Sequence, residues 1–397
     1  MNMKVAVVGQ GYVGLPVALA AAANGYFVFG IDNNRKKISD LNKYISEIEG
    51  VDSQELKSLI LNNSYLPTTD YSNVTDSNIV LICVPTPLDS NSNPNLSFLV
   101  DATKSVGKYL GKGSLVIIES TVAPGTTREI LTPILERESG LLRDDFFISF
   151  SPERIDPLNK TWNVKNTPKV VAGLTDKACD MAINFYSKFI DQTIRCESLE
   201  VAETSKLLEN SFRLINISFI NEMAIFCNKF GIDINHVIAA AATKPYGFLP
   251  FYPSIGIGGH CIPVDPVYLA AKAREIGASA DFIELATRIN NSMPEFFVKR
   301  AEDILGDLQG KKILVIGVSY KPNVADTRET PVESLLLHLR EREAIVSWHD
   351  ELVKEWKNEQ SVPISEEFDL AILATPHDYL DLTQVGKTPI LNTRGSI

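Results

Sequence analysis

Residues 4–32 read KVAVVGQGYVGLPVALAAAANGYFVFGID, and this stretch decides the fold. A short β-branched run ends at Gly9, small and apolar residues continue to Gly25, and a second apolar run ends at Asp32. These patterns predict a strand, a packed helix closed by glycine and a second strand. A strand–helix–strand unit of about 30 residues is the building block of a doubly wound α/β sheet.

The turn between the first strand and the helix has the spacing Gly9-x-Gly11-x-x-Gly14. In such a turn the first glycine permits the bend, the second admits a pyrophosphate and the third lets the helix pack on the sheet. Asp32 is placed to accept hydrogen bonds from a ribose diol. Glycine turns also arise for packing alone, so the prediction of a dinucleotide site depends on the flanking strands and on Asp32 as well as on the glycines. The unit predicts a dinucleotide site that favours NAD over NADP.

Two further apolar runs, at 78–87 and 114–127, predict more strands of this sheet. Ligands of doubly wound sheets bind at the carboxyl ends of the strands. Residues 85–87 and 120–124 are therefore expected beside the cofactor.

The same pattern recurs near the C-terminus. Residues 311–321 mirror the first strand and turn, the run ending at Asp350 mirrors the one ending at Asp32, and residues 368–378 mirror 78–87. Ser319 stands at the position of Gly11, so we expect this second copy to bind something other than a dinucleotide, or nothing.

Between the copies, residues 197–230 contain neither proline nor glycine and carry apolar residues at helical spacing. A helix of some 30 residues exceeds the usual globular length, so we expect it to bridge domains or pack against a partner chain. The predicted fold class is α/β, with two Rossmann-like doubly wound domains joined by a long central helix in an all-α middle domain. The predicted domains are 1–195 for NAD, 196–295 for catalytic residues and a dimer interface, and 296–397 for a sugar nucleotide.

Composition excludes several classes of protein. A formal net charge of -11 disfavours broad contact with nucleic acid, and 45% hydrophobic with 22% charged residues is ordinary for a globular protein. The 5 cysteines form no CxxC pair, which argues against a disulfide framework and a structural zinc site. No export signal and no apolar run of about 18 residues is found. We expect a cytoplasmic protein with no metal, nucleic-acid or membrane partner.

The stretch GIGGHCIPVDP, residues 256–266, places Cys261 in a loop rich in glycine and proline. A metal site would need convergent ligands that the histidines do not offer, and a buried structural cysteine is the plain alternative, as for Cys83 and Cys227. The loop favours a nucleophile. A nicotinamide enzyme that oxidises an aldehyde to an acid needs a thiol, because a thiolate adduct makes the carbon tetrahedral before hydride leaves.

Lys206 and Asn210 lie four residues apart on the predicted central helix and share a face, so both could donate to one oxyanion. A nearby lysine would also lower the thiol pKa. The alternative is a solvated helix lysine paired with Glu203 or Asn210. Glu153 and Asp265 are candidate bases.

Several motifs together resemble the UDP-glucose/GDP-mannose dehydrogenase family, which oxidises a sugar nucleotide at C6 to a uronic acid with two NAD. The resemblance covers nearly the whole chain. It rests, in the family's order, on GQGYVGLP, VPTP, ESTVAPGTT, SPERIDP, AETSKLLENSF, GGHCIPVDP and GVSYKPNVADTRETP.

The resemblance implies roles residue by residue. The implied catalytic residues are the nucleophile Cys261, the oxyanion pair Lys206 and Asn210, the water-arranging Asp265 and Thr121, and Glu153 beside the substrate. The implied cofactor contacts are Gly9, Gly11, Tyr12, Val13, Gly14, Asp32, Pro85, Thr86, Ser120, Thr121 and Arg328. The implied substrate contacts are Glu153, Arg154, Lys206, Asn210, Tyr252, Gly258 and Lys321. Interdomain salt bridges remain the alternative for Lys321 and Arg328, and core packing remains the alternative for the aromatic residues of 246–259.

The segments GGHC, SPERI and LLENSFR resemble the N-acetylhexosamine branch of the family, so His260 reads as a branch marker. Residues 244–253 are closer to enzymes of UDP-N-acetylglucosamine than to those of UDP-N-acetylmannosamine. We therefore expect UDP-N-acetylglucosamine as substrate and a homodimer or higher oligomer. Departures from the branch occur at Ser254, Ile255 and Leu158. The alternatives are a UDP-glucose or UDP-N-acetylmannosamine 6-dehydrogenase, or a silent NAD-binding regulatory protein.

Overall fold

A computed structural model describes residues 3–155, 159, 161–365 and 367–394. Leu158 lies outside these described residues. The chain divides into two compact units, Met1–Leu208 and Glu209–Ile397. The division falls inside one long helix, and the domain boundaries anticipated from sequence stay predictions.

The first unit contains one sheet with the order β3-β2-β1-β4-β5-β6-β7-β8. Its strands are β1 Lys4–Val8, β2 Phe27–Ile31, β3 Tyr65–Thr68, β4 Ile79–Ile82, β5 Leu115–Ile118, β6 Phe147–Phe150, β7 Lys169–Gly173 and β8 Thr193–Arg195. Its helices are α1 Gly14–Ala23, α2 Arg35–Leu41, α3 Ser53–Leu61, α4 Ser97–Gly107, α5 Thr132–Ser139 and α6 Asp176–Tyr186. The strand order reverses between β1 and β4, where a doubly wound sheet forms its ligand crevice. The predicted fold class is confirmed.

The strands of this sheet are apolar on both faces because helices cover both. On β1, Val5 and Val7 belong to one buried cluster, whereas Ala6 and Val8 belong to the other. This two-sided burial explains why the strands read as continuous apolar runs. One departure from an all-parallel sheet is β7, which runs antiparallel to β6.

The long helix predicted at 197–230 is α7, Leu199–Phe230. It begins two residues later than predicted and ends at the predicted residue. Three of its phenylalanines are largely exposed: Phe219 at 57%, Phe226 at 55% and Phe230 at 71%.

The second unit combines helices with a smaller parallel sheet of order β10-β9-β13-β14. Its helices after α7 are α8 Ile234–Ala242, α9 Asp265–Glu275, α10 Asp281–Leu305 and α11 Val332–Glu341. Its strands are β9 Lys312–Ile316, β10 Ile345–His349, β11 Glu355–Trp356, β12 Glu359–Gln360, β13 Leu370–Leu373 and β14 Ile390–Asn392. Among the described residues no helix has both the length and the apolarity needed to cross a membrane.

The predicted internal repeat is visible in the turns that follow β1 and β9. The N–H of Gly9 donates to the carbonyl of Ile31 at 2.8 Å, and the N–H of Gly317 donates to the carbonyl of His349 at 2.8 Å. Both glycines have positive φ angles, 93° and 84°. The two modules therefore share one strand–turn geometry.

Candidate active site

The glycine turn after β1 has the shape that a pyrophosphate requires. A Cβ on Gly14 would lie 1.9 Å from the carbonyl oxygen of Gly9, and one on Gly9 would lie 2.6 Å from the carbonyl oxygen of Cys83. Apart from its own chain neighbours, no heavy atom of the described residues lies within 4 Å of a Cβ built on Gly11. The first and third glycines are thus required by packing, whereas the second leaves an open face before the N-terminus of α1. An open face beside a helix N-terminus fits a dinucleotide phosphate.

Asp32 stands at the end of β2 with its carboxylate fixed by main-chain donors. One oxygen accepts the N–H of Gln10 and the other the N–H of Asn34, each at 2.9 Å. Lys37 lies 3.5 Å from the same carboxylate. A carboxylate has about four acceptor positions, so a ribose diol can still be accommodated. The residues present fit NAD.

The other predicted cofactor contacts lie around the carboxyl ends of the strands. The Ser120 hydroxyl donates to the carbonyl of Val84 at 2.6 Å, which ties the end of β5 to the end of β4. Thr86 is buried and Pro85 is exposed, whereas Tyr12, Val13 and Thr121 are half-buried. Their contacts with a cofactor stay predictions.

A buried charge network lies at the same edge of the first sheet. Lys169 Nζ is 3.1 Å from Glu153 and 3.3 Å from Glu119. Tyr186 donates its hydroxyl to Glu119, and Lys169 lies over the Tyr186 ring, 5.1 Å from its centroid. In the antiparallel register of β6 and β7, Phe150 pairs with Ala172. Three residues further along from each of these positions, the same register brings Glu153 opposite Lys169.

The two carboxyl groups of this network titrate in opposite directions. Burial raises the pKa of Glu119 even though Lys169 opposes that effect. Burial also acts on Glu153, but Lys169 and the N–H of Ile155 outweigh it and lower the pKa of Glu153. Divergent carboxyl pKa values are typical of acid–base sites, so Glu153 is the member held as an anion.

Glu153 also organises its neighbours. Its Oε1 accepts the N–H groups of Arg154 and Ile155, each at 2.7 Å, and its main-chain carbonyl accepts Lys206 Nζ at 2.5 Å. The Arg154 guanidinium donates to the carbonyl of Pro168 at 3.0 Å. The structure thus brings together three of the predicted substrate residues of the first unit.

Lys206 is not the solvated helix lysine of the alternative reading, because it is only 8% exposed. Glu203, its suggested partner, instead accepts the N–H groups of Gly125 at 2.7 Å and Thr127 at 3.0 Å. Burial raises the pKa of Glu203 to about 7 although these donors oppose it. Glu203 therefore joins α7 to the loop that follows β5.

Cys261 lies on an exposed loop directly before α9. Its carbonyl oxygen accepts the N–H of Asp265 at 2.8 Å. The Asp265 side chain is buried and accepts the Asn210 amide at 2.5 Å. Asn210 is thus engaged with Asp265 here and does not present its amide alone, as an oxyanion donor would. Cys83 and Cys227 are buried, as the structural reading of those two cysteines expects.

The glycines before Cys261 dock on the turn that carries Lys321. A Cβ on Gly258 would lie 2.6 Å from the carbonyl oxygen of Glu329, and one on Gly259 would lie 2.8 Å from the Tyr320 ring. The N–H of Gly259 donates to the carbonyl of Arg328 at 3.1 Å. A side chain at either position would force a shift, so the two glycines let the loop before Cys261 lie against Tyr320 and the main chain of Arg328 and Glu329.

Arg328 pairs with an acid of its own loop and is about half exposed, with 49% of its side chain accessible. Its guanidinium forms a two-pronged pair with Asp326, with distances of 2.9, 3.0 and 2.5 Å. His260 lies half-buried nearby, and burial, assisted by Arg328, lowers its pKa. Both effects favour the neutral form of the His260 imidazole. Among the described residues, no group of three His, Cys, Asp or Glu side chains could hold a metal ion.

The aromatic residues of 246–259 differ in burial, and only Phe251 packs against a core cluster as the alternative supposed. Tyr246 is 72% exposed and Tyr252 is 57% exposed. Phe251 packs edge-on against Phe212 at 5.9 Å between ring centroids. Of the two departures described by the structure, Ile255 is buried in the core of the second unit, and the main-chain N–H of Ser254 donates to the side-chain oxygen of Asn221 at 2.9 Å.

Sequence reasoning missed Glu119, Lys169 and Tyr186. Glu119 lies within the quoted motif ESTVAPGTT, and a lysine that opens the apolar run KVVAG was a usable signal. The signal was overlooked because an antiparallel strand in this sheet was not anticipated, and only that direction places Lys169 beside Glu153.

Comparisons with known proteins cover nearly the whole chain. Residues 3–190 match the NAD binding domain of the UDP-glucose/GDP-mannose dehydrogenase family, residues 200–292 its central domain and residues 314–395 its UDP binding domain. The chain is 39% identical to UDP-N-acetyl-D-glucosamine 6-dehydrogenase of Pseudomonas aeruginosa, over 86% of this chain and 81% of that protein. It is 34% identical to UDP-N-acetyl-D-mannosamine dehydrogenase of Pyrococcus horikoshii, over 94% of this chain and 90% of that one.

A solved structure of UDP-D-ManNAc dehydrogenase from Pyrococcus horikoshii has the same fold. It superposes with a TM-score of 0.91 at 32% identity and covers 99% of this chain and 95% of that chain. The turn for NAD, the exposed thiol and these matches agree, and the chain belongs to the UDP-glucose/GDP-mannose dehydrogenase family, whose members are NAD-dependent nucleotide-sugar dehydrogenases.

Proposed function

We propose that this protein oxidises the C6 hydroxymethyl group of UDP-N-acetylglucosamine to a carboxylate. The observation that carries the proposal is the exposed residue Cys261, which lies on a loop four residues before the buried Asp265. A dehydrogenase that stopped at the aldehyde would have no use for that thiol. NAD, when bound, accepts one hydride, so this four-electron oxidation consumes two NAD per sugar.

The chain's own residues divide the work as follows. The Cys261 sulfur adds to the aldehyde carbon to form a thiohemiacetal. Loss of the remaining C6 hydride, which a second NAD would accept, and of the hydroxyl proton turns this adduct into a thioester, and water then cleaves the thioester to the carboxylate and the free thiol. Lys206 and Asn210 donate to the oxyanion of the tetrahedral carbon. Asp265 and Thr121 arrange the water. For this step the Asn210 amide has to share or exchange its bond to Asp265, which lies 2.5 Å away.

Glu153 is proposed to lie beside the sugar as an anion. Its lowered pKa favours the ionised form at neutral pH, in which it can accept the proton of the C6 hydroxyl. Lys206, held on the Glu153 main chain, adds positive charge where the alkoxide develops.

Binding of the UDP-sugar is proposed to use a second set of side chains. Lys321 and Arg154 supply cationic donors for the diphosphate, and Tyr252 and Gly258 line the sugar-binding loop. Exposed aromatic residues on a loop fit this use, since they present flat apolar faces that a nucleotide can cover. Arg328 is proposed to turn from Asp326 toward the cofactor.

The choice of N-acetylglucosamine rests on two supports. Residues 244–253 are closer in sequence to enzymes of that sugar, and of the two relatives compared above, the one named for N-acetylglucosamine has the higher identity. UDP-N-acetylmannosamine and UDP-glucose are the competing substrates.

The test is a stoichiometric assay. The purified protein is incubated with NAD and, separately, with UDP-N-acetylglucosamine, UDP-N-acetylmannosamine and UDP-glucose, and NADH is measured per sugar. We expect two NADH per sugar from UDP-N-acetylglucosamine. Turnover of another sugar alone would overturn the substrate, one NADH per sugar would overturn the thiol mechanism, and none from any sugar would leave only an NAD-binding regulator.

We also propose that the protein forms a homodimer through α7. Phe226 and Phe230 are exposed and stack with ring centroids 5.9 Å apart, and Phe219 lies about two turns earlier on the same helix. A row of exposed phenylalanines on one helix is typical of a surface that another chain covers.

A further inference from the structure

The second module contains an acid at the position that Asp32 occupies in the first. This residue, Asp350, is fully buried, and its Oδ2 accepts the N–H groups of Val318 at 2.9 Å and Ser319 at 3.4 Å. In the first module the Asp32 Oδ2 accepts the N–H of Gln10. Both acids therefore bind the turn after the first strand of their module.

The carboxylate of Asp350 is also bound by a histidine ring. His377 Nε2 lies 3.2 Å from Asp350 Oδ2, and both side chains are fully buried. The opposite ring nitrogen, Nδ1, accepts the N–H of Asn323 at 2.9 Å. Because Nδ1 accepts, Nε2 carries the proton and donates to Asp350. The imidazole thus bridges the acid and the far end of the turn.

The segment held in this way contains Lys321. The Ser319 hydroxyl donates to the Lys321 carbonyl at 3.0 Å, and Thr375 donates to the Ser319 carbonyl at 2.7 Å. Asn323 has a positive φ of 65° and exchanges two side-chain bonds with Asp378. Residues 318–323 are therefore fixed on both sides of Lys321.

We propose that His377 is a positioning residue that holds Lys321 in place for the UDP part of the substrate. The imidazole occupies the Asp350 carboxylate, the acceptor that a ribose would use in a nucleotide-binding module. Through its other nitrogen the ring anchors the turn at Asn323. The inference rests on the proposed function in one respect, namely that Lys321 contacts the UDP-sugar.

The test separates the hydrogen bond at Nδ1 from the contacts at Nε2, which lies 3.5 Å from the Ser319 hydroxyl as well as 3.2 Å from Asp350. In His377→Asn the short amide reaches the Nδ1 position and can accept the Asn323 N–H, whereas in His377→Gln the longer amide reaches the Nε2 position and keeps only Asp350. Dissociation constants of UDP and of UDP-N-acetylglucosamine are measured by calorimetry on the full chain without NAD. We expect UDP binding to weaken about fivefold to tenfold for Gln, which releases the turn at Asn323, and to weaken less for Asn, which gives up the bond to Asp350 but still holds the turn.

Two further variants make the test specific. In a Lys321→Ala background, His377→Gln should weaken UDP binding no further, because the ring acts through Lys321. His338→Gln changes a histidine paired with Glu341 on α11 and should leave UDP binding unchanged. Circular dichroism verifies that each variant is folded.

Equal affinities of the Asn and Gln variants would overturn the inference, and so would an undiminished effect of His377→Gln in the Lys321→Ala background. A wild-type chain that binds UDP but not UDP-N-acetylglucosamine would defeat the proposed substrate, while the UDP measurements would still decide the role of His377.

Discussion

The side-chain nitrogen of Lys206 lies 2.5 Å from the main-chain carbonyl oxygen of Glu153. The carboxylate of the same Glu153 is bound by Lys169 at 3.1 Å. Glu153 therefore binds two lysines: its main-chain carbonyl accepts a hydrogen bond from Lys206, and its carboxylate pairs with Lys169. Because Lys169 fixes Glu153, it also helps to set where Lys206 lies.

Replacing Lys169 by methionine should destabilise the first unit strongly. The change leaves Glu119 and Glu153 close together in a buried site without their shared cation. Removal of one partner from a buried ion pair costs about 3–5 kcal/mol. Urea unfolding of Lys169→Met and of the exposed control Lys188→Met gives the comparison, and equal midpoints would show that the network contributes little.

Glu203 should make the stability of the protein depend on pH near neutrality. Burial raises its pKa from 4.5 to about 7, so the folded state binds a proton more tightly than the unfolded state does. The stability that this group contributes is full below pH 4.5 and is lost as pH rises to about 7, by on the order of 3 kcal/mol. Between pH 5 and 8, Glu203→Gln should therefore lose less stability than the wild type.

Glu200 supplies the control with the opposite sign. Its hydrogen bond to Arg128 lowers its pKa to about 2, so its contribution to stability changes only between about pH 2 and 4.5. Unfolding measured at pH 5 and 8 should give the same difference for Glu200→Gln and the wild type. If Glu203→Gln retained the full wild-type slope, the raised pKa of Glu203 would be refuted.

Substitutions at two glycines of the first turn should affect different properties, namely NAD binding at Gly11 and folding at Gly14. Within the described part of the chain, a Cβ on Gly11 would meet no atom within 4 Å except those of its chain neighbours, so Gly11→Ala should fold normally and weaken NAD binding. A Cβ on Gly14 would lie 1.9 Å from the Gly9 carbonyl, so Gly14→Ala should destabilise the module itself. NAD titration and thermal melting of both variants provide the check. Unchanged NAD affinity in Gly11→Ala would place the cofactor elsewhere.

Substitution of Cys261 by serine should abolish complete turnover while sparing the first oxidation step more. A hydroxyl is a far weaker nucleophile than a thiolate, and losing a nucleophile lowers kcat by about a thousandfold or more. Rapid-quench measurement of NADH in a single turnover distinguishes the steps. Cys196→Ser is the matched control and should keep full activity. Two NADH per sugar at the normal rate from Cys261→Ser would exclude the covalent mechanism.

Phe219→Glu should dissociate the proposed dimer. Burying a carboxylate in an apolar interface is costly unless it is paired, and Phe219 is 57% exposed within the single chain. Sedimentation velocity measures the state of association, with Glu222→Gln on the same helix as control. A monomeric wild type would contradict the dimer directly.

The sequence predicted the first sheet well because its determinants are local. The glycine turn, the apolar runs and Asp32 each act through neighbouring backbone, and α7 could be recognised from the lack of proline and glycine in 197–230. The repeat near the C-terminus was detectable for the same reason.

Long-range pairing was harder to foresee. The bond between Lys206 and the Glu153 carbonyl spans 53 positions of the chain, and the pairing of Lys169 with Glu119 spans 50. Neither has a periodic signature. The choice of Asp265 as the partner of Asn210 likewise depends on how the loop before α9 folds, which spacing alone does not reveal.

The imidazole that fills the acceptor position of Asp350 has a thermodynamic consequence. The second module needs no diffusible molecule to satisfy its acid, whereas Asp32 retains acceptor capacity that a dinucleotide can use. Occupancy by NAD should therefore slow amide hydrogen exchange around β1 and β2 by mass action and leave exchange around β9 and β10 unaltered. The two modules, alike in strand–turn geometry, would then respond differently to the metabolic supply of the same cofactor.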